Sequence, residues 1–197
     1  MKVMIVGAGV IGTIFGWALS DAGHSVIHFV RTGRSSAFSN GVSIDMMDRR
    51  KNHKKWFSGN YAIKVTEVLD STNNYEMVIV PVRHYSVIDV LKQIVPLTPH
   101  ADYLLLTQNW KGTVGIEDIL PPSRYVFGDA KAGGSFQDNK LLATIYAIDL
   151  GCTGNKQNDC LKKAQDLFQS ADVKTWCQTN IKSSISIKQS RILSVKY

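Results

Sequence analysis

The first residues of the chain hold its clearest chemistry. Lys2-Val3-Met4-Ile5-Val6 runs straight into Gly7-Ala8-Gly9-Val10-Ile11-Gly12, an apolar stretch that breaks into Gly-x-Gly-x-x-Gly. In this spacing the first glycine makes a tight strand-to-helix turn and the second admits a pyrophosphate against bare backbone. The third lets the helix pack close to the strand. The phosphates then face the positive end of the helix and its unpaired N–H groups, so the chemistry offered by residues 7–12 is capture of a dinucleotide. The next such stretch is Arg31-Thr32-Gly33-Arg34-Ser35-Ser36, and no acidic residue lies between Asp21 and Asp45 to accept bonds from a ribose 2′-hydroxyl. Guanidinium groups offer planar donor forks to phosphate oxygens. The expected cofactor is therefore NADP(H) rather than NAD(H). Arg31, at the very end of a strand, is the first candidate for the 2′-phosphate; Arg34 is either a second contact or a solvated loop charge.

These groups need elements to hold them. Ile11, Ile14, Phe15, Ala18 and Leu19 recur at helical spacing and predict an amphipathic helix, ended by Asp21-Ala22-Gly23-His24. Ser25 to Val30 reads as a second strand. Short strands are expected at Val42 to Met46, at Trp56 and over Tyr61 to Val65, followed by a buried-type strand at Met77 to Val82. Val87, Val90, Leu91 and Ile94 mark a helix face that stops near Pro96. Tyr103 to Thr107 is another strand, and a short helix is expected up to Leu120, before Pro121-Pro122. Tyr125 to Phe127 and Leu141 to Leu150 read as strands that pair across a turn near Gln137-Asp138-Asn139. A helix over Lys156 to Ser170 and a strand over Val173 to Cys177 complete the pattern. Alternating strands and helices predict an α/β, Rossmann-type, doubly wound and mainly parallel sheet covered on both faces. Ligands of such sheets bind outside the carboxyl ends of the strands. That rim would carry Gly7 to Gly12, Arg31, Arg83 and Asn109.

Composition narrows the function classes. With 197 residues, 44% of them hydrophobic, the chain can bury a sizeable core. No apolar run approaches the roughly 20 residues needed to span a bilayer, and no signal-peptide cleavage pattern follows the first strand. The three cysteines lack Cys-x-x-Cys spacing and the five histidines are scattered, so neither a disulfide framework nor a metal site is expected. A reducing, cytoplasmic setting fits. The net charge of +7 depends on one run, Arg49-Arg50-Lys51-Asn52-His53-Lys54-Lys55, without which the balance falls to +2. A solvated hairpin loop between two short strands accounts for that run better than a nucleic-acid surface.

The opening Gly7 to Gly12 motif, Arg31, and Gln108-Asn109-x-x-Gly112-Thr113 together resemble the ketopantoate reductase (2-dehydropantoate 2-reductase) family. The likeness covers essentially all of this chain but only the N-terminal two-thirds of a typical member. It implies NADPH-dependent reduction of a 2-keto acid to the 2-hydroxy acid, on the route to pantothenate and coenzyme A. By this resemblance the family's cofactor-site lysine falls on Arg83 and its strand-end asparagine on Asn109, although Trp110 replaces the usual following glycine. Its catalytic lysine falls on Lys188 within Asn180-Ile181 to Lys188, where Ser186 stands for the family's tryptophan. Two asparagines that usually meet substrate fall on Ile192 and Lys196.

The expected organisation is an NADP-binding domain over 1–180 and the truncated start of a C-terminal helical domain over 181–197. Ile185, Ile187, Ile192, Leu193 and Val195 would then seek another surface, by docking or as a homodimer. Hydride transfer to a ketone leaves negative charge on oxygen, which needs a cation or a proton close by. Lys188 is assigned as general acid, and Asn109 helps hold it, the nicotinamide or the substrate. The alternative is a non-catalytic NADP(H)-binding sensor or partner module.

Overall fold

The computed structural model describes residues 1–51, 54–107, 114–138, 140–152 and 159–178. In chain order the elements are β1 (Lys2–Val6), α1 (Val10–Asp21), β2 (Ser25–Phe29), β3 (Val42–Asp48), β4 (Lys55–Tyr61) and β5 (Val65–Thr66). Then follow β6 (Met77–Val80), α2 (Val87–Ile94), β7 (Asp102–Leu105), β8 (Tyr125–Gln137), β9 (Lys140–Gly151), α3 (Asp159–Ser170) and β10 (Lys174–Gln178). The strands form one sheet in the order β4-β3-β9-β8-β7-β6-β1-β2-β5, with β10 also paired to β9. Among the described residues seven strand pairs are parallel, and only β3–β4 and β8–β9 are antiparallel. The sheet is thus mainly parallel, of Rossmann type, as the alternation predicts.

Side-chain parity sorts the core into two layers. Val3 and Ile5, Met77 and Ile79, Leu104 and Val126 point to the face covered by α1 and α3. Met4, Val78 and Val80, Tyr103 and Leu105, Tyr125 and Phe127 point to the face covered by α2 and the 116–120 segment. The period of two along each strand is what a sheet buried on both faces requires.

The amphipathic reading of α1 is corrected. Every residue from Gly12 to Leu19 is buried, because the sheet does not stay flat beside the helix. β8 and β9 form a long hairpin with a register irregularity between Lys131 and Ala132, and such irregularities bend and twist a ribbon. Beyond it, Ser43 to Asp48 of β3 pairs with Lys140 to Ile145 of β9. Val42, Ile44, Met46, Leu141 and Ile145 thereby join the same core cluster as α1. A helix enclosed in this way has no solvent stripe.

Three further expectations change. No strand runs over Tyr61 to Val65: β4 ends at Tyr61 and β5 is only Val65–Thr66. Residues 114–120 form turns rather than a helix, with the Ile116 carbonyl accepting from Ile119 N (2.9 Å) and Leu120 N (2.8 Å). The basic run does join two antiparallel strands, β3 and β4, but Arg50 is not solvated. It is only 7% exposed, bonded to Asp48 (Nη2–Oδ2 2.9 Å), Asp21 (3.1 Å) and the Ala171 carbonyl (3.0 Å). Its guanidinium lies 4.5 Å from the Trp17 ring centre.

Candidate functional site

β1 lies between β2 and β6, and all three are parallel. The chain leaves β1 for β2 on one side and later returns to β6 on the other, so the strand order reverses here. A crevice opens at that point beyond the carboxyl ends. The glycine turn occupies it. Gly7 has φ +84°, a left-handed conformation that L side chains avoid. Its N–H bonds the Phe29 carbonyl at 2.7 Å and its own carbonyl meets His28 Nδ1 at 2.9 Å, so β2 pins the turn from both sides. Gly12 packs against the strands: a Cβ there would stand 3.1 Å from the Gly7 carbonyl oxygen and 3.2 Å from Ile5 Cγ2. Gly9 differs, since a Cβ on it would meet nothing within 4 Å among the described residues. Gly9 is also the N-cap of α1 and provides no side-chain cap, and the first turn contains no acidic residue. The leading N–H groups of a 12-residue helix thus face the crevice without an internal anion. Phosphate oxygens fit this arrangement.

His28 supports the turn from below. It is fully buried, and the carbonyl it meets can only accept, so Nδ1 carries the proton. Nε2 then accepts from the Tyr61 hydroxyl at 3.2 Å, which also meets Ser20 Oγ at 3.2 Å. Burial pulls the His28 pKa down to about 4 despite the opposing bond to Gly7. The imidazole is therefore neutral at physiological pH and places no charge beneath the phosphate position.

Two clefts flank the ends of β1 and β6. One, about 680 Å³, is lined by Gly7, Phe29, Arg31, Thr32, Glu67 and Arg83. The other, about 560 Å³, is lined by Ile11, Pro81, Arg83, Thr107 and Asp129. Arg83 borders both and donates from Nη1 to the Tyr85 hydroxyl at 3.3 Å. Thr107 Oγ1, on a residue 4% exposed in the second cleft, has no hydrogen-bond partner among the described residues. Such a buried hydroxyl suits a polar ligand atom. Nearby, Lys131 Nζ bridges Asp129 and Asp149 at 2.6 Å each.

Against the loop after β2 stands an acidic side chain that the motif did not reveal. Glu67, just past β5, accepts from Gly33 N at 2.9 Å and Ser35 N at 2.7 Å. Bonds from Ser35, Gly33 and Arg34 hold its carboxyl down to about 2. Pairing of β2 with β5, His28 with Val65 and Phe29 with Thr66, is what delivers it. A two-residue strand leaves almost no periodic signal, so Glu67 could not be registered beside Arg31 from sequence.

Of the residues singled out in the sequence, Gly7, Arg31 and Arg83 line the first cleft, and Ile11 the second. Val10 opens α1. Ala8, Gly9 and Arg34 border a third cleft, with Asn40, Ser43 and Asn60. Arg31 and Arg34 therefore flank their loop rather than converge from one side. Asn109 and Lys188 lie outside the described residues, as does the 181–197 segment. Among the described residues no cluster of His, Cys, Asp or Glu is placed to hold a metal, and no helix is long and apolar enough to cross a membrane.

Comparison with known proteins bears on the family and the fold. Residues 3–137 match the family model described as ketopantoate reductase PanE/ApbA. A 2-dehydropantoate 2-reductase of Pyrococcus abyssi is 25% identical over 197 residues, covering 95% of this chain. The chain spans only 60% of that relative's length. Among solved structures, the 2-dehydropantoate 2-reductase of Geobacter metallireducens superposes with a TM-score of 0.73 at 16% identity, covering 91% of this chain and 58% of that one. D-mandelate dehydrogenase, solved with NADH and anilino(oxo)acetate, gives 0.74 at 18% identity, covering 94% and 59%. At these identities the superpositions speak for the fold alone.

Proposed function

The chain belongs to the ketopantoate reductase family, and on that premise we propose that it binds NADP(H) and reduces a 2-keto acid of the 2-dehydropantoate type to its 2-hydroxy acid. The observation that carries the reading is the glycine turn at the strand-order reversal. There the uncapped start of α1 meets Gly9, whose missing side chain is required by no atom of the described residues. The N–H groups of α1 would hold the pyrophosphate, Arg31 the adenosine side in the first cleft, and Arg83 the boundary between the two clefts. The nicotinamide half and the keto acid would share the second cleft, with Thr107 Oγ1 as a hydrogen-bonding group. The likeness to the 2-dehydropantoate 2-reductase of Pyrococcus abyssi supports a 2-keto acid as the substrate class.

When bound, the reduced nicotinamide supplies a hydride to the carbonyl carbon. The chain's own task is to bind, orient and move a proton. As charge grows on the carbonyl oxygen, Lys188 Nζ gives it a proton, and Asn109 orients the lysine or the substrate through its amide. Both roles come from the family pattern in the sequence. The same pattern assigns 1–180 to the cofactor domain and 181–197 to the start of a helical one.

Titration of the chain with NADPH, followed by NADPH oxidation with a panel of 2-keto acids, tests the reading. Binding is expected, with turnover depending on Lys188: Lys188→Ala should abolish turnover and leave NADPH affinity nearly intact. Turnover that survives in Lys188→Ala removes that residue from the mechanism. Binding without turnover, in the complete gene product, favours the sensor module instead.

A further inference from the structure

We propose that Glu67 sets the cofactor's ribose specificity, acting as an intramolecular anion seated where a 2′-phosphate would otherwise bind. The proposal rests on the dinucleotide reading above and deepens it. Strand register puts Glu67 there: Val30 N bonds the Thr66 carbonyl at 2.9 Å, so the residue after Thr66 emerges beside the Val30–Arg31 step. That is the rim position from which a carboxylate at the end of the second strand would read a ribose 2′-hydroxyl. Here the carboxylate arrives from the neighbouring strand instead.

Its seat is built for an anion. Gly33 takes φ +78°, and the N–H groups of Gly33 and Ser35 converge on the two carboxylate oxygens at 2.9 and 2.7 Å. Backbone amides gathered in this way form a nest that binds anions, phosphates included. Arg31 and Glu67 line the same cleft, so the cation expected to take a 2′-phosphate shares its space with a fixed negative charge. With its carboxyl held down to about 2, Glu67 does not give way by protonation at working pH. A 2′-phosphate must displace Glu67 from these amides or stand against it. A 2′-hydroxyl can donate to it. Arg31 and Glu67 therefore pull in opposite directions, and discrimination between NADP(H) and NAD(H) is small.

Equilibrium titration of the chain with NADPH and with NADH, followed by intrinsic fluorescence, tests this without reference to activity. In the unmodified chain the two dissociation constants should agree within about tenfold, and a preference for NADPH of about a hundredfold or more would overturn the proposal. Glu67→Gln removes the charge while keeping the shape. It should tighten NADPH about tenfold or more and change NADH affinity by less than about threefold. A purely structural Glu67 would instead weaken both nucleotides alike, and that result, or an unchanged ratio, overturns the specificity role. Failure of the unmodified chain to bind either nucleotide overturns the cofactor reading and this proposal together.

Discussion

A glycine can be demanded by the protein's own packing or by what must approach it from outside, and Gly7, Gly9 and Gly12 divide between these causes. Gly7 is fixed by its positive φ and Gly12 because a Cβ there would stand 3.1 Å from the Gly7 carbonyl oxygen, whereas nothing among the described residues crowds Gly9. Gly9 also has an ordinary extended backbone, φ −79° and ψ −178°. Gly9→Ala should therefore leave stability within about 0.5 kcal/mol of the parent. If a pyrophosphate lies against that backbone, the same change should weaken NADPH binding about tenfold or more. Urea unfolding and NADPH titration, run in parallel, check both halves. The spacing of these glycines was fully legible in the sequence, because a turn motif is local. The group beneath them was not: His28 reaches the turn through strand pairing, and its buried neutrality has no sequence signature. An unfolded histidine takes up a proton near pH 6.5, while the folded His28 resists until about 4. Acid therefore favours the unfolded chain, and stability should fall by about 2 kcal/mol between pH 7.5 and 5 from this group alone. Comparing urea midpoints of the parent and His28→Gln across that range isolates the contribution.

At the scale of the element, α1 shows why a periodic pattern can be correct and still incomplete. Ile14, Phe15, Ala18 and Leu19 do face the core, as their spacing predicts. The positions between them, Thr13, Gly16 and Trp17, are buried as well, because the β8–β9 hairpin and β3 close over the far side. That closure depends on pairings between residues far apart in sequence, which no local window contains. Gly16 carries its consequence. In an exposed helix interior Gly→Ala stabilises by about 1 kcal/mol. Here an alanine Cβ would stand 2.3 Å from His28 Nε2 and 3.0 Å from the Tyr61 hydroxyl. Relief requires moving the histidine that pins Gly7 or shifting the whole helix. Gly16→Ala should thus destabilise the chain by about 2 kcal/mol. It should also weaken NADPH binding, since the glycine turn shares that histidine. A stabilised variant in urea unfolding would contradict this account of α1.

At the scale of the whole molecule, the buried Arg50 links the strands that curl over α1 to the ends of α1 and α3. β3 and β4 follow β2 in sequence, yet β3 pairs with β9, beyond the opposite side of β1, and β4 pairs with β3. Arg50, at the end of β3, ties that excursion down. It bonds Asp48 of β3, Asp21 at the end of α1 and the Ala171 carbonyl just after α3, and lies over Trp17. The net charge of +7 suggested an exposed basic loop. Charge counting could not separate Arg50 from its neighbours, because besides the nearby Asp48 its partners come from two distant segments, α1 and the end of α3. Burial pushes the Asp48 carboxyl up, but the bonds from Arg50 outweigh it and hold that carboxyl below its usual range. Removing Arg50 would reverse that balance and leave a half-buried carboxylate without its cation. The Asp21 contact adds little, since that side chain is 56% exposed. Arg50→Met should cost about 3 kcal/mol in urea unfolding. Arg50→Lys should recover only a minor part, because an ammonium cannot serve Asp48 and the Ala171 carbonyl as a planar fork does. The double variant Asp48→Asn with Arg50→Met should be more stable than Arg50→Met alone, since the orphaned charge is then gone. If the double variant instead loses the sum of the two single costs, Arg50 and Asp48 act independently and the curl has another support.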